Sequence, residues 1–151
     1  MTKLHKVSFQ FLALFLALAL LTPLGTVSMA AEMGQSRASD YISYYRGYIY
    51  AMGSGKLEIE FTIDGMDDMD EIGALSIKLY ESTDKSNWTL VKTYSPENYT
   101  NMLIEDDWSH SSCVSYNGIV GRYYKAYVGF WAGRNGGGDA RYMWTTIRKA
   151  T

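Results

Sequence analysis

The sequence predicts an all-β protein, an antiparallel β-sandwich of about seven or eight strands that follows an N-terminal signal peptide. Three observations carry this. Apolar and polar residues alternate at period two over residues 56–64 and again over 122–133, which is the pattern of a strand with one face in a core. Clusters of Gly, Asn, Asp and Pro punctuate the chain at near-regular intervals, as in antiparallel sandwiches and barrels. No segment carries a convincing amphipathic helix, and thirteen Tyr with four Trp supply a strand-favouring aromatic load.

The elements follow in order. Residues 1–30 read as a secretory signal: Lys3 and Lys6, an uncharged apolar run over 11–21, the breakers Pro23 and Gly25, then Ser28-Met29-Ala30. Small residues at Ser28 and Ala30 predict cleavage between Ala30 and Ala31. The apolar run is shorter than the ~20 residues that span a bilayer. Residues 31–40 are small and polar and read as a flexible leader, which leaves 41–151 as a single β-sandwich domain. Residues 41–52 form a Tyr-rich strand, and Gly53-Ser54-Gly55 turns it into the clearest strand of the chain. There Leu57, Ile59, Phe61 and Ile63 face inward and Glu58 and Glu60 outward. An acidic connection over 65–73 follows, in which Met66, Met69 and Ile72 recur at the spacing of one helical turn. Leu75, Ile77 and Leu79 resume the inward alternation, and residues 82–87 turn the chain into a returning strand over 88–94. Residues 102–105 and 111–116 are short strands, and Asn117-Gly118 suits a tight hairpin turn into the long strand 122–133. Asn135-Gly136-Gly137-Gly138-Asp139 is a wide turn before a last strand over 141–149.

Charge and cysteine content exclude several classes. Loss of Lys3 and Lys6 with the signal leaves twelve basic against sixteen acidic residues, a net charge of −4 with no basic block. Nucleic acid is therefore not an expected partner, since its binding rests on clustered Lys and Arg. No second apolar run follows the signal, so no stable membrane anchor is expected after cleavage. Cys113 is the only cysteine, so there is neither an internal disulfide nor a cysteine at the cleavage point to carry a lipid. It reads as a small buried side chain, with a free thiol or a pairing between chains as the alternatives.

Tyr116-Asn117-Gly118 and the run from Gly121 to Val128, with the strand from Gly73 to Ile77 and the turn holding Ser82, Asp84 and Trp88, form a recognisable set. With these features the chain resembles small secreted β-rich proteins of Gram-positive bacteria, the clostridial group especially, that carry a domain of unknown function. The resemblance implies a β-rich fold and export, and brings no activity with it.

Candidate chemistry is sparse. His110 is the only histidine beyond the signal. It lies three residues from Cys113, a spacing that puts the two on opposite faces of a strand, so no catalytic residue is assigned. Asp64, Asp67, Asp68, Asp70 and Glu71 supply the oxygens calcium prefers, yet their order fails the EF-hand at its Gly and its Glu, and no metal or cofactor is assigned. Ser82-x-Asp84-x-Ser86-x-Trp88 resembles the Asp-box hairpin of sialidase propellers, a structural turn. The remaining candidate is a binding strip of Tyr123, Tyr127 and Trp131, which alternation places on the outer face of the long strand around Lys125. Tyr127 and Trp131 then lie about 13 Å apart. Cross-strand support of the sheet is the alternative role for these rings. The expected function is a secreted, extracellular, non-enzymatic module that binds a glycan, cell wall or protein; the alternatives are a small secreted hydrolase and a bacteriocin-like toxin.

Overall fold

The computed structural model describes residues 39–151. The expected signal peptide, its expected cleavage between Ala30 and Ala31 and most of the expected leader lie outside the described residues. Seven strands are described: β1 (Ile42–Gly53), β2 (Lys56–Ser82), β3 (Thr89–Tyr94), β4 (Leu103–Asn117), β5 (Tyr123–Arg134), β6 (Gly137–Trp144) and β7 (Arg148–Lys149). All pairings are antiparallel, and they join the strands into one sheet.

The 27-residue β2 organises that sheet. Its first half lies between β1 and β4, and its second half between β3 and β5. Between the halves β2 spends four residues between Asp64 and Met69, where β4 spends one between Ser109 and Asp107. Extra residues on one strand bend it and increase its twist, and the sheet curls here. Its two halves then face each other across one core, as the layers of a sandwich do. Tyr45 of β1 packs its ring 5.3 Å from Phe130 of β5, and Tyr116 of β4 lies 6.0 Å from Tyr124 of β5.

The core follows the alternation in the sequence. Leu57, Ile59, Phe61 and Ile63 from one half, and Tyr124, Ala126, Val128, Phe130 and Ala132 from the other, are fully buried. Each large apolar side chain among them contributes about 1.5–3 kcal/mol through burial. Glu58 and Glu60 face outward and are half-buried rather than exposed, because β1 and β4 flank β2 on both sides. Ser54 and Gly55, with φ of 52° and 80°, make the two-residue turn that joins β1 to β2, the positive-φ geometry that suits a tight hairpin. Two carbonyls on the outer edge of β4 are capped by side chains: Asn101 donates to the Cys113 carbonyl at 3.2 Å and the Tyr94 hydroxyl to the Ser115 carbonyl at 2.9 Å. Capping these acceptors keeps the edge from templating another strand.

Six further expectations change. The acidic connection is strand and bulge, not a helical turn: Met69 and Ile72 are buried while Met66 is 61% exposed, because sheet pairing rather than helical spacing sets their facing. Leu75 is half-buried and Ala74 takes the core position, because the register shifts between Ala74 and Ser76. The two short strands over 102–105 and 111–116 are one strand, β4. Asn117-Gly118 makes no hairpin. β4 and β5 pair with opposite edges of β2, and Gly118 instead lies against the Tyr124 ring, where a Cβ would come within 2.8 Å of Cζ. The turn before β6 is tight, with Asn135 and Gly136 alone between the paired Arg134 and Gly137, and the last strand divides into β6 and the two-residue β7.

Candidate functional site

β5 places the three rings of Tyr123, Tyr127 and Trp131 on one face. Tyr123, Lys125, Tyr127 and Trp131 point to the outer face, each half-buried, opposite the fully buried row. The span between Tyr127 and Trp131 is not empty. Register places Trp144 of β6 opposite Tyr127, and Tyr142 opposite Gly129. The Tyr142 ring stacks on Tyr127 with centroids 5.7 Å apart and planes at 14°, and the Trp144 ring lies 4.8 Å from Tyr127. Gly129 makes this possible: a Cβ there would fall 2.8 Å from Cε1 of Tyr142. Tyr80 of β2 adds a further ring 5.3 Å from Trp144. Tyr142 is 53% and Trp144 46% exposed.

The turn between β2 and β3 completes one end of the strip. The Asp84 carboxylate accepts from the backbone N–H of Ser86 and Asn87, both at 2.8 Å, from the Asn87 side chain at 2.8 Å and from the Ser82 hydroxyl at 3.0 Å. These bonds, led by those from Asn87, hold its carboxyl well below the usual carboxylate range. The Ser82 hydroxyl accepts from the Lys85 N–H at 2.9 Å, and the Trp88 indole donates to the Lys85 carbonyl at 3.0 Å. The turn so fixed delivers two side chains to β5. Lys85 sets its ammonium 4.5 Å from the Tyr123 ring, and Trp88 sets its indole 4.4 Å from the Lys125 ammonium. Lys125 lies between two indoles, its other neighbour being Trp144 at 4.3 Å. Lys149 of β7 approaches Tyr123 at 5.6 Å, held by the Ala150 N–H to Arg122 carbonyl bond of 2.9 Å.

Trp131 marks the other end. It lies against Gly133, where a Cβ would be 3.0 Å from Cζ2, and lines a groove of about 480 Å³ with Asp70, Glu71, Glu105, Arg134, Gly136 and Gly137. Asp70 and its neighbour Asp67 are tied to the β5–β6 turn. Asp70 accepts from the Asn135 N–H at 2.7 Å, and Asp67 pairs with Arg134 at 2.5 Å. The bond from Arg134 lowers the Asp67 pKa below its ordinary value. Among the described residues no group of three or more His, Cys, Asp or Glu is placed to hold a metal ion. Asp67 and Asp70 anchor the hairpin through these two bonds. His110 and Cys113 face opposite sides of β4. His110 meets the Asn101 carbonyl at 2.8 Å and packs edge-on against Phe61. Cys113 is exposed rather than buried, and desolvation with the Glu58 and Glu60 carboxylates raises its thiol pKa, the reverse of what a nucleophile needs.

Trp88, Tyr142 and Trp144 were missed from sequence although one signal was present. Asn135-Gly136 is itself a tight-turn dipeptide, and pairing Arg134 with Gly137 across it puts Trp144 opposite Tyr127. The two glycines that follow disguised it as a longer loop. Neither a family model nor a curated protein matches this sequence.

Proposed function

We propose that this protein is an exported, non-enzymatic binding module that holds an extracellular glycan against the aromatic strip of Tyr123, Tyr127, Trp131, Tyr142 and Trp144. The observation that carries the reading is the row of rings on the outer face, with Tyr142 and Trp144 about half exposed. Rings in this state are not needed to fill the core, which the opposite face of β5 supplies. Contiguous exposed aromatic surface marks an interaction site. Flat rings with a polar edge suit the apolar faces and hydroxyls of sugars. The resemblance to small exported proteins of Gram-positive bacteria agrees with a ligand outside the cell.

Pull-down of the purified domain on isolated cell-wall polysaccharides tests it. Trp144→Ala should cut retention at least tenfold with an unchanged melting temperature, and unchanged retention refutes the reading. One observation favours a hydrolase as the second reading: Asp70, Glu71 and Glu105 line one groove beside Trp131, and paired carboxylates cleave glycosidic bonds. Against it, all three are exposed, whereas a glycosidase acid works from a desolvated setting. Release of reducing ends by the wild type and its loss in Glu71→Gln would establish the hydrolase.

A further inference from the structure

We infer that the glycan taken by this strip is acidic, with a carboxylate-bearing sugar seated at the Tyr123 end and neutral rings running toward Trp131; this rests on the binding role proposed above. The ammonium groups of Lys85 and Lys149 both approach the Tyr123 ring, and that of Lys125 is fixed between Trp88 and Trp144. Lys78 stands exposed on the same face, directly across from Tyr127. Among the described residues none of these lysines is in an ion pair, although three arginines, Arg122, Arg134 and Arg141, each pair with a carboxylate.

The nearest acids along the chain are committed elsewhere. Glu81 is engaged by Arg122 and by the Tyr124 hydroxyl on the inner side of β2. Asp84 is consumed by its own turn. Like charges gathered without an internal counterion repel one another, and an anionic ligand removes that repulsion. A cation-rich patch on a chain of net negative charge is therefore a local complement to an anion rather than a consequence of composition.

The opposite end bounds the ligand. Asp70, Glu71 and Glu105 line the groove beside Trp131, where the one cation, Arg134, is already paired with Asp67, so a continuous polyanion laid along the strip would meet like charge there. Nucleic acid carries one phosphate per nucleotide and fits poorly, even though aromatic faces with lysines can stack bases. One anionic sugar among neutral ones satisfies both ends.

The test uses an oligosaccharide of three neutral sugars bearing one uronic acid, its carboxyl-reduced form, and a short oligothymidylate, each titrated into the secreted protein. The acid should bind at least ten times more tightly than the reduced form. That ratio should collapse in the Lys85→Met, Lys149→Met double variant, whose side chains keep their apolar stems, and survive in Lys85→Arg, Lys149→Arg. Equal binding of the acidic and reduced forms overturns this inference and leaves the aromatic-strip reading standing. Binding of neither overturns both, and tighter binding of oligothymidylate assigns the patch to nucleic acid instead.

Discussion

Tyr124 shows how much a single residue on this chain is asked to do. Its ring closes the core against Tyr116, and its hydroxyl donates to Glu81 and accepts the Ile119 N–H at 2.8 Å. Burial, with the Glu81 carboxylate, pushes its pKa up to about 12. An unfolded tyrosine ionises near pH 10, so above that pH the unfolded chain sheds a proton that the folded chain keeps. Stability from this group is fully present below pH 10 and is lost as pH rises toward 12. Thermal melts across pH 9–12 should show a steep loss that Tyr124→Phe lessens, the buried Tyr94, whose pKa is also raised, keeping the rest, at a neutral-pH cost of about 1–3 kcal/mol for the lost bonds to Glu81 and the Ile119 N–H. A parallel loss in both proteins would place the alkaline sensitivity elsewhere. Phe61→Ala should cost about 3–5 kcal/mol in denaturant melts, and a loss under about 1 kcal/mol would contradict its place in the core.

At the scale of elements, the β2–β3 turn joins structure to function. Asp84 is held in its ionised form by bonds that vanish on unfolding, so its contribution is present above about pH 4, the ordinary carboxylate range, and is lost as pH falls through its lowered folded value. Asp84→Asn should lower the melting temperature at pH 7 and narrow its gap from the wild type at low pH. It should also weaken glycan binding, because Lys85 and Trp88 leave Tyr123 and Lys125; binding that is unchanged would separate the turn from the site. Elements were legible in the sequence where facing is a local property. Leu57 to Ile63 and Tyr124 to Ala132 alternate without interruption, and the structure buries them accordingly. They were illegible where pairing is long-range. Nothing near Asn117-Gly118 says that β4 and β5 take opposite edges of β2, and the bulge at Ala74–Ser76 is set by β5, some fifty residues away. The strip follows the same division. Tyr123, Tyr127 and Trp131 come from one strand's alternation, whereas Trp88 and Tyr80 join them only through the β2–β5 pairing.

Residues 39–151 form one sheet curled by a bulge in its longest strand, with the inner face filled by aliphatic and aromatic side chains and the outer face of β5 and β6 left aromatic. That division of labour explains why removal of a strip residue should spare the fold while removal of a core residue should not. The four tryptophans make the test direct. Trp131 and Trp144 belong to the strip and Trp88 packs beside it on Lys125, whereas Trp108, 57% exposed on β4, has no ring contact with them among the described residues. Each indole N–H gives its own signal in a nitrogen–proton NMR spectrum, so a titration with cell-wall oligosaccharide reports on all four together. Shifts at Trp88, Trp131 and Trp144 with Trp108 unmoved are the expected result. Shifts confined to Trp108, or none at saturating glycan, would contradict the assignment of the strip as the binding surface.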